Sequence, residues 1–177
     1  MMRDASNRTA QRGIEIVLVR PAQPDDLEQW LELRAALWPD EASTHASEIE
    51  RYFVDGTIDN IPHIVLIAVV DEPARAIGFA EVSVREAAAG CRTSPVAYLE
   101  GWYVRPESRV GGVGRALVDG ARRWAVQRGL REFASDTAPE FAEISVPAHL
   151  ACGFRAVADA PSPSAGAIAF MMSLHDS

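Results

Sequence analysis

The sequence predicts a mixed α/β (α+β) fold, with one mostly antiparallel, twisted sheet flanked by helices. Three observations predict it. Strand-like apolar runs and runs of helical spacing follow one another as strand, two helices, three strands, helix, strand, helix, two strands. Residues 99–118 read as strand, glycine turn and helix in immediate succession. The chain of 177 residues is 48 % hydrophobic, enough for the core of one domain, and carries no internal repeat or low-complexity segment.

Taken in order, residues 1–13 are polar and lack the apolar centre of a signal peptide, so they read as a loose tail ahead of a single domain over 14–177. Residues 14–20 form the first strand, broken by Pro21 and Pro24. Asp25 and Asp26 suit a helix start, and Leu27, Trp30, Leu31, Leu33, Leu37 and Trp38 follow at helical spacing until Pro39. A second helix is expected over 43–54, and residues 58–62 read as a loop. The β-branched run 63–70 is a buried strand; 71–73 is a turn, and 76–85 is its hairpin partner. Residues 87–95, with Gly90 and Pro95, form a loop before the strand 96–104. A helix over 113–127 ends at Arg128-Gly129, a usual stop signal. Residues 131–135 form a strand. A helix is expected over 139–152, kinked or shortened by Pro147. Strands are expected from 153 to 157 and from 167 to 174, with a loop over 161–166 between them.

The turn Arg109-x-x-Gly112-x-Gly114 has specific physics. Glycines open backbone conformations closed to other residues and leave room for a ligand. The first N–H groups of the following helix have no partner within it, and their partial positive charge makes an anion site. A diphosphate fits there, flanked by Arg109 and Arg115. The pattern is neither Gly-x-Gly-x-x-Gly nor a P-loop ending in Gly-Lys-Ser/Thr.

The net charge of −8 and pI near 5.0 argue against a nucleic-acid binder and suit a cationic small molecule. Cys91 and Cys152 match no metal spacing and are expected reduced, as in a cytoplasm. No apolar run approaches the ~18 residues of a membrane span. No Gly-x-Ser-x-Gly elbow is present.

The glycine turn resembles the pyrophosphate loop of the GNAT acetyltransferases. The likeness extends to the bacterial aminoglycoside 6'-N-acetyltransferases through Leu33-Arg34-x-x-Leu37-Trp38-Pro39, Ile77-Gly78-Phe79-Ala80, Ser94-Pro95-Val96-x-x-Leu99-Glu100-Gly101, Ala134-Ser135-Asp136-Thr137 and His149-x-x-x-Gly153-Phe154. These pieces run from Leu33 to Phe154, and the resemblance covers roughly residues 15–174. The resemblance implies the GNAT fold and direct transfer of acetyl from acetyl-CoA to the 6'-amine of an aminoglycoside. It implies no metal and a homodimer in the cytoplasm. It places Arg109, Val110, Gly111, Gly112, Val113, Gly114 and Arg115 on the coenzyme diphosphate. Trp102, Tyr103 and Val104 then lie along the pantetheine arm, with a backbone N–H facing the oxyanion. A GNAT enzyme for another amine, such as a polyamine or a protein N-terminus, and a non-catalytic acyl-CoA sensor are the alternative readings.

Glu100 is the foremost candidate catalytic residue, because an acid in a strand apolar on both sides is costly unless paired or functional. It either accepts the amine's proton, directly or through water, or pairs with an internal arginine. Asp136, at a strand end, is the second candidate, for amine binding or for capping a turn. Glu81 either adds to the acidic cleft or lies on a solvated hairpin face. Trp38 is a candidate sugar-binding wall, or core. Asp159 is a further candidate carboxylate. His149 stands where relatives carry a tyrosine near the coenzyme sulfur, so it is a candidate proton donor or coenzyme contact. His45 and His63 read as structural.

Overall fold

The computed structural model describes residues 17–70, 74–158 and 166–174. The expected tail over 1–13, the first residues of the opening strand, the turn at 71–73 and Asp159 lie outside the described residues. The elements run β1 (Leu18–Pro21), α1 (Leu27–Leu37), α2 (Ala42–Asp55), β2 (Thr57–Ile58), β3 (Ile61–Val70), β4 (Arg75–Arg85), β5 (Val96–Val104), α3 (Val113–Gln127), β6 (Glu132–Thr137), α4 (Ala142–Ala151), β7 (Arg155–Ala156) and β8 (Ile168–Ser173). The sheet order is β1-β3-β4-β5-β6-β8-β7, with β2 paired to β3. Every pairing is antiparallel except β5 with β6.

The strand at 96–104 and the helix at 113–127 stand where their residues place them. The loop expected over 58–62 is instead a tight hairpin. Asp59 and Asn60 take positive φ (51° and 62°), the backbone of a two-residue turn whose twist matches its strands. Pro21 stays in β1, because β1 is an edge strand and the missing N–H leaves no ladder bond unmade. Helix α4 runs through Pro147 to Ala151, so the shortening expected there falls elsewhere: Pro139–Phe141 form a 3-10 turn, and α4 keeps 10 residues after it. The strand expected over 153–157 shrinks to Arg155–Ala156.

Alternation along the strands sends apolar side chains to both faces of the sheet. One face packs Leu66, Val82, Leu99 and Phe133 under Leu117, Val118 and Ala121 of α3. The other packs Val65, Ile67 and Phe79 under Trp30 and Leu33 of α1 and Ile49 of α2. Gly78 is required by the close approach of β5: a Cβ there would lie 2.7 Å from the Tyr103 carbonyl oxygen.

The second face also buries a charge. Glu81 is 2 % exposed; it accepts the Trp30 Nε1–H at 2.9 Å and lies 3.1 Å from Arg34 Nε. Burial pushes its pKa up to about 7, against the pull of Arg34 and the Trp30 N–H. The folded value lies above the unfolded one near 4.5. A proton on Glu81 therefore favours the fold. Its contribution is complete below the unfolded value and is lost as pH rises through about 7. Urea midpoints should fall as pH rises from 4.5 to about 7, and Glu81→Gln should remove that part of the slope.

Candidate active site

The pairing of β5 with β6 ends at Leu99↔Ser135, although both strands continue. Beyond that point they part, and a cavity of about 650 Å³ opens between them, floored by Leu99–Val104 and Ser135–Thr137 and walled by Trp38 and by α4. A β-bulge lies at the same place. Glu81 pairs with Gly101 and Val82 with Leu99, so Glu100 is an extra residue in β5. The bulge slips the alternation: Leu99 and Trp102, three apart, share the α3 face, and Tyr103 turns to the α1 face. Gly101 meets the edge of the Trp38 indole, where a Cβ would fall 2.3 Å from Cη2.

On the α1 side of this opening, the half-buried Glu100 accepts Arg85 Nε at 2.8 Å and Arg85 Nη2 at 2.5 Å, and also the Ser83 hydroxyl. The Arg85 guanidinium lies 3.6 Å from the Tyr98 ring centre. Asp136, also half-buried, lines the same cavity as Glu100. Burial first, and then the Asp136 charge, raise the Tyr98 pKa, which locates this carboxylate beside the phenol.

On the other side lies the glycine turn. Pro106–Gly111 form a 3-10 turn, and Gly112 adopts φ 75° as the residue before α3. No side chain caps the helix. The Ala116 N–H bonds Gly112, so the N–H groups of Val113, Gly114 and Arg115 have no partner within the helix. Arg109 faces the cavity with its Nε–H on the Val104 carbonyl at 3.0 Å. Arg115 instead bonds the Ala151 carbonyl, tying the start of α3 to the end of α4. Gly114 lies under Trp102, where a Cβ would be 2.9 Å from Cζ2. Val113 is buried in the core, and Gly111 is exposed in the turn with Val110 before it.

His149 is 3 % exposed and lines the cavity from α4. Its ring stacks on Phe170 at 4.3 Å and meets the Trp102 ring edge-on at 5.3 Å. Nδ1 lies 2.8 Å from the Ser145 carbonyl, and Nε2 lies 2.9 Å from the Ser135 hydroxyl. Burial lowers its pKa. Nδ1 donates to the Ser145 carbonyl, and Nε2 lies against the Ser135 hydroxyl, which is also within reach of the Leu99 carbonyl at 3.3 Å.

The structure thus gathers Trp38, Glu100, Trp102, Tyr103, Val104, Arg109, Gly114, Asp136 and His149 around one cavity. Glu81 is not among them: alternation turns it under α1, into the Trp30–Arg34 cluster, which corrects its assignment to the acidic cleft. The sequence reading missed Ser83 and Arg85 as the partners of Glu100. The available signal was their spacing, since residues 81, 83 and 85 share one strand face. It also missed Ser135 and Ser145 as the partners of His149; Ser145 lies one helical turn before it. Among the described residues no group of three or more His, Cys, Asp or Glu could hold a metal, and Cys91 and Cys152 are free.

Residues 27–154 match the sequence profile of the Acetyltransferase (GNAT) family. The chain belongs to this family. Its relatives include an aminoglycoside N(6')-acetyltransferase type 1 from Klebsiella aerogenes, 49 % identical over 80 % of this chain and 91 % of that one. Among solved structures, AAC(6')-Iy in complex with the bisubstrate analogue CoA-S-monomethyl-acetylneamine superposes with a TM-score of 0.70 at 37 % identity, covering 79 % of this chain and 91 % of the other. The aminoglycoside antibiotic 6'-N-acetyltransferase AAC(6')-Ih from Acinetobacter baumannii matches with a TM-score of 0.69 at 35 % identity, over 79 % and 91 %. The GNAT fold is therefore the frame on which the parted strands, the bulge and the glycine turn are built.

The contact between Gly101 and Trp38 is directly testable in this GNAT domain. Gly101→Ala forces the indole away, and overpacking of this kind costs about 1–3 kcal/mol. A lower thermal midpoint and a shifted tryptophan emission should report it.

Proposed function

We propose that the chain is an acetyl-CoA-dependent aminoglycoside 6'-N-acetyltransferase. The observation that carries this reading is the parting of β5 from β6 after Leu99 and Ser135. It leaves two carboxylates, Glu100 and Asp136, on one side of an opening whose other side ends in uncapped helix amides. Supporting it are relatives named as enzymes of that activity at up to 49 % identity and a similar fold solved with a coenzyme–aminoglycoside conjugate.

In this reading the coenzyme diphosphate docks on the N–H groups of the turn over 110–115, with Arg109 alongside, while Arg115, bonded to the Ala151 carbonyl, braces the start of α3. Uncapped helix amides are matched to such an anion. The pantetheine amides extend along Trp102, Tyr103 and Val104, whose backbone groups facing β6 are released where the ladder stops. The acceptor is a polycation. Trp38 supplies an apolar wall for a sugar ring, and Glu100 and Asp136 hold its ammonium groups.

Acetyl transfer then needs a free amine. Asp136 accepts the ammonium proton, directly or through one water. Glu100 carries the charge of Arg85 on both its oxygens, so it orients and neutralises rather than takes the proton. The amine nitrogen attacks the thioester carbonyl carbon, and a β5 backbone N–H in the 102–104 segment meets the oxyanion. The intermediate collapses by breaking the C–S bond, and the departing thiolate takes the proton lost by the nitrogen. His149 has both ring nitrogens engaged, so in this reading it shapes the floor under the thioester. Acetylation removes a positive charge from the drug, which weakens its hold on ribosomal RNA and gives resistance.

The same reading puts the protein in the cytoplasm as a homodimer, with no nucleic-acid or membrane partner; the net charge of −8 accords with it. Among the described residues no helix is long and apolar enough to cross a membrane.

Thiol release from acetyl-CoA in the presence of kanamycin tests the proposal, with the acetylated position read by NMR. Asp136→Asn and Glu100→Gln should each lower kcat/KM by about a hundredfold or more while the Kd for acetyl-CoA stays put. Turnover of spermidine but not kanamycin would replace this reading by a polyamine enzyme. Coenzyme binding with no turnover of any amine would replace it by a sensor.

A further inference from the structure

Trp38 stands on a buried set of charges that the reaction above does not use. Arg34 lies one helical turn before it on α1 and is 4 % exposed. The guanidinium carbon is 5.3 Å from the indole centre. Arg34 Nη1 lies 2.6 Å from Glu48 on α2, and its Nε lies 3.1 Å from Glu81 on β4. Glu81 is the residue paired across the ladder with Gly101, and Gly101 is where the Trp38 ring edge rests. From α2, the fully buried His45 places Nε2 2.9 Å from the Trp38 carbonyl oxygen.

Trp38 is thus gripped at three points: its carbonyl by α2, its ring face by α1 and its ring edge by β5. Its backbone leaves helical geometry there (φ −127°, ψ 75°), with its N–H still on the Arg34 carbonyl at 2.8 Å and the Glu41 N–H on its own carbonyl at 3.3 Å; these bonds fix the main chain and leave the ring to be set by its side-chain contacts. Two acidic side chains from different elements flank the guanidinium by charge, its Nε and Nη1 making no hydrogen bond among the described residues, and a buried cation near an aromatic ring in turn attracts the ring. A buried charge cluster is a poor source of stability; placed here it supplies geometry.

We propose that Arg34 and His45 are positioning residues for the acceptor amine. They fix the Trp38 indole as a wall of the cavity and so set affinity for the aminoglycoside without touching it. This rests on the reading of Trp38 as the acceptor wall.

The test uses the full chain carrying Arg34→Lys, His45→Leu, His45→Gln or Trp38→Ala, and Arg34→Lys combined with Trp38→Ala. Lysine keeps the charge but loses the fork, leucine removes the donor to the Trp38 carbonyl, and glutamine restores one. Arg34→Lys and His45→Leu should each raise the KM for kanamycin about tenfold. The KM for acetyl-CoA and kcat should stay within about twofold. His45→Gln should recover most of the loss, and Arg34→Lys should add nothing once Trp38 is alanine. The proposal is overturned if Trp38→Ala raises the kanamycin KM but folded Arg34→Lys and His45→Leu do not. It is equally overturned if those two variants lose only kcat, as a smaller fraction of active protein would. A Trp38→Ala enzyme with an unchanged kanamycin KM removes the wall itself, and the proposal with it. A wild-type chain that leaves kanamycin untouched fails earlier and takes the proposed function down as well.

Discussion

Two neighbouring parallel strands normally stay paired along their shared length, because every N–H and C=O left out must find another partner. In this protein the β5–β6 ladder stops at Leu99 and Ser135 while both strands run on. The released edge of β5 is the constraint from which the site follows. It offers backbone donors and acceptors in a row, in a cleft inside the sheet rather than on its rim. The bulge at Glu100 belongs to the same event: one added residue reverses the faces of β5 just where it leaves β6. Glu100 and Gly101 are thereby set beside Trp38, and Trp102 is set over the mouth of α3. Opening and bulge together give the cleft two chemically different sides.

Charge is arranged by depth around that cleft. At the surface of the opening, Glu100 and Asp136 remain half-buried, where a cation can reach them. Beneath them, Glu81 is sealed under α1 with Arg34 and Trp30, and burial holds its pKa far above the ordinary carboxylate range. These acids come from neighbouring strands and differ in exposure, so they differ in work. A carboxylate open to the cavity can meet a substrate ammonium. One with no exposed oxygen can only organise what stands above it, and here that is Trp38. His149 follows the same logic on the α4 side: wedged between Phe170 and Trp102, with Ser135 and Ser145 on its nitrogens, it is a rigid part of the floor.

Much of this was legible in the chain. The strand at 96–104, the glycine turn and the helix at 113–127 are local features, each written in a contiguous run of residues. Glu100 stands out in the sequence as an acid in an apolar strand and Asp136 as an acid at a strand end, whereas Trp38 is singled out by the resemblance of Leu37-Trp38-Pro39 to the family. The hairpin at Asp59-Asn60 has no such contiguous signature, since its turn depends on two residues accepting positive φ between paired strands. Glu81 was misplaced because alternation tells which residues share a face and not what covers that face.

Local order and chemistry were therefore determined by the sequence alone: the succession of elements, the uncapped start of α3 after Gly112, and the supply of carboxylates for a cation. Tertiary structure decided which of those carboxylates met the cavity. Helix α1 lies across one sheet face and stops at Trp38, so Glu81 is covered while Glu100, displaced by the bulge, is left at the opening. That outcome depends on where a helix ends over a sheet and on one residue of register between two strands. Both are set by packing between segments far apart in the chain.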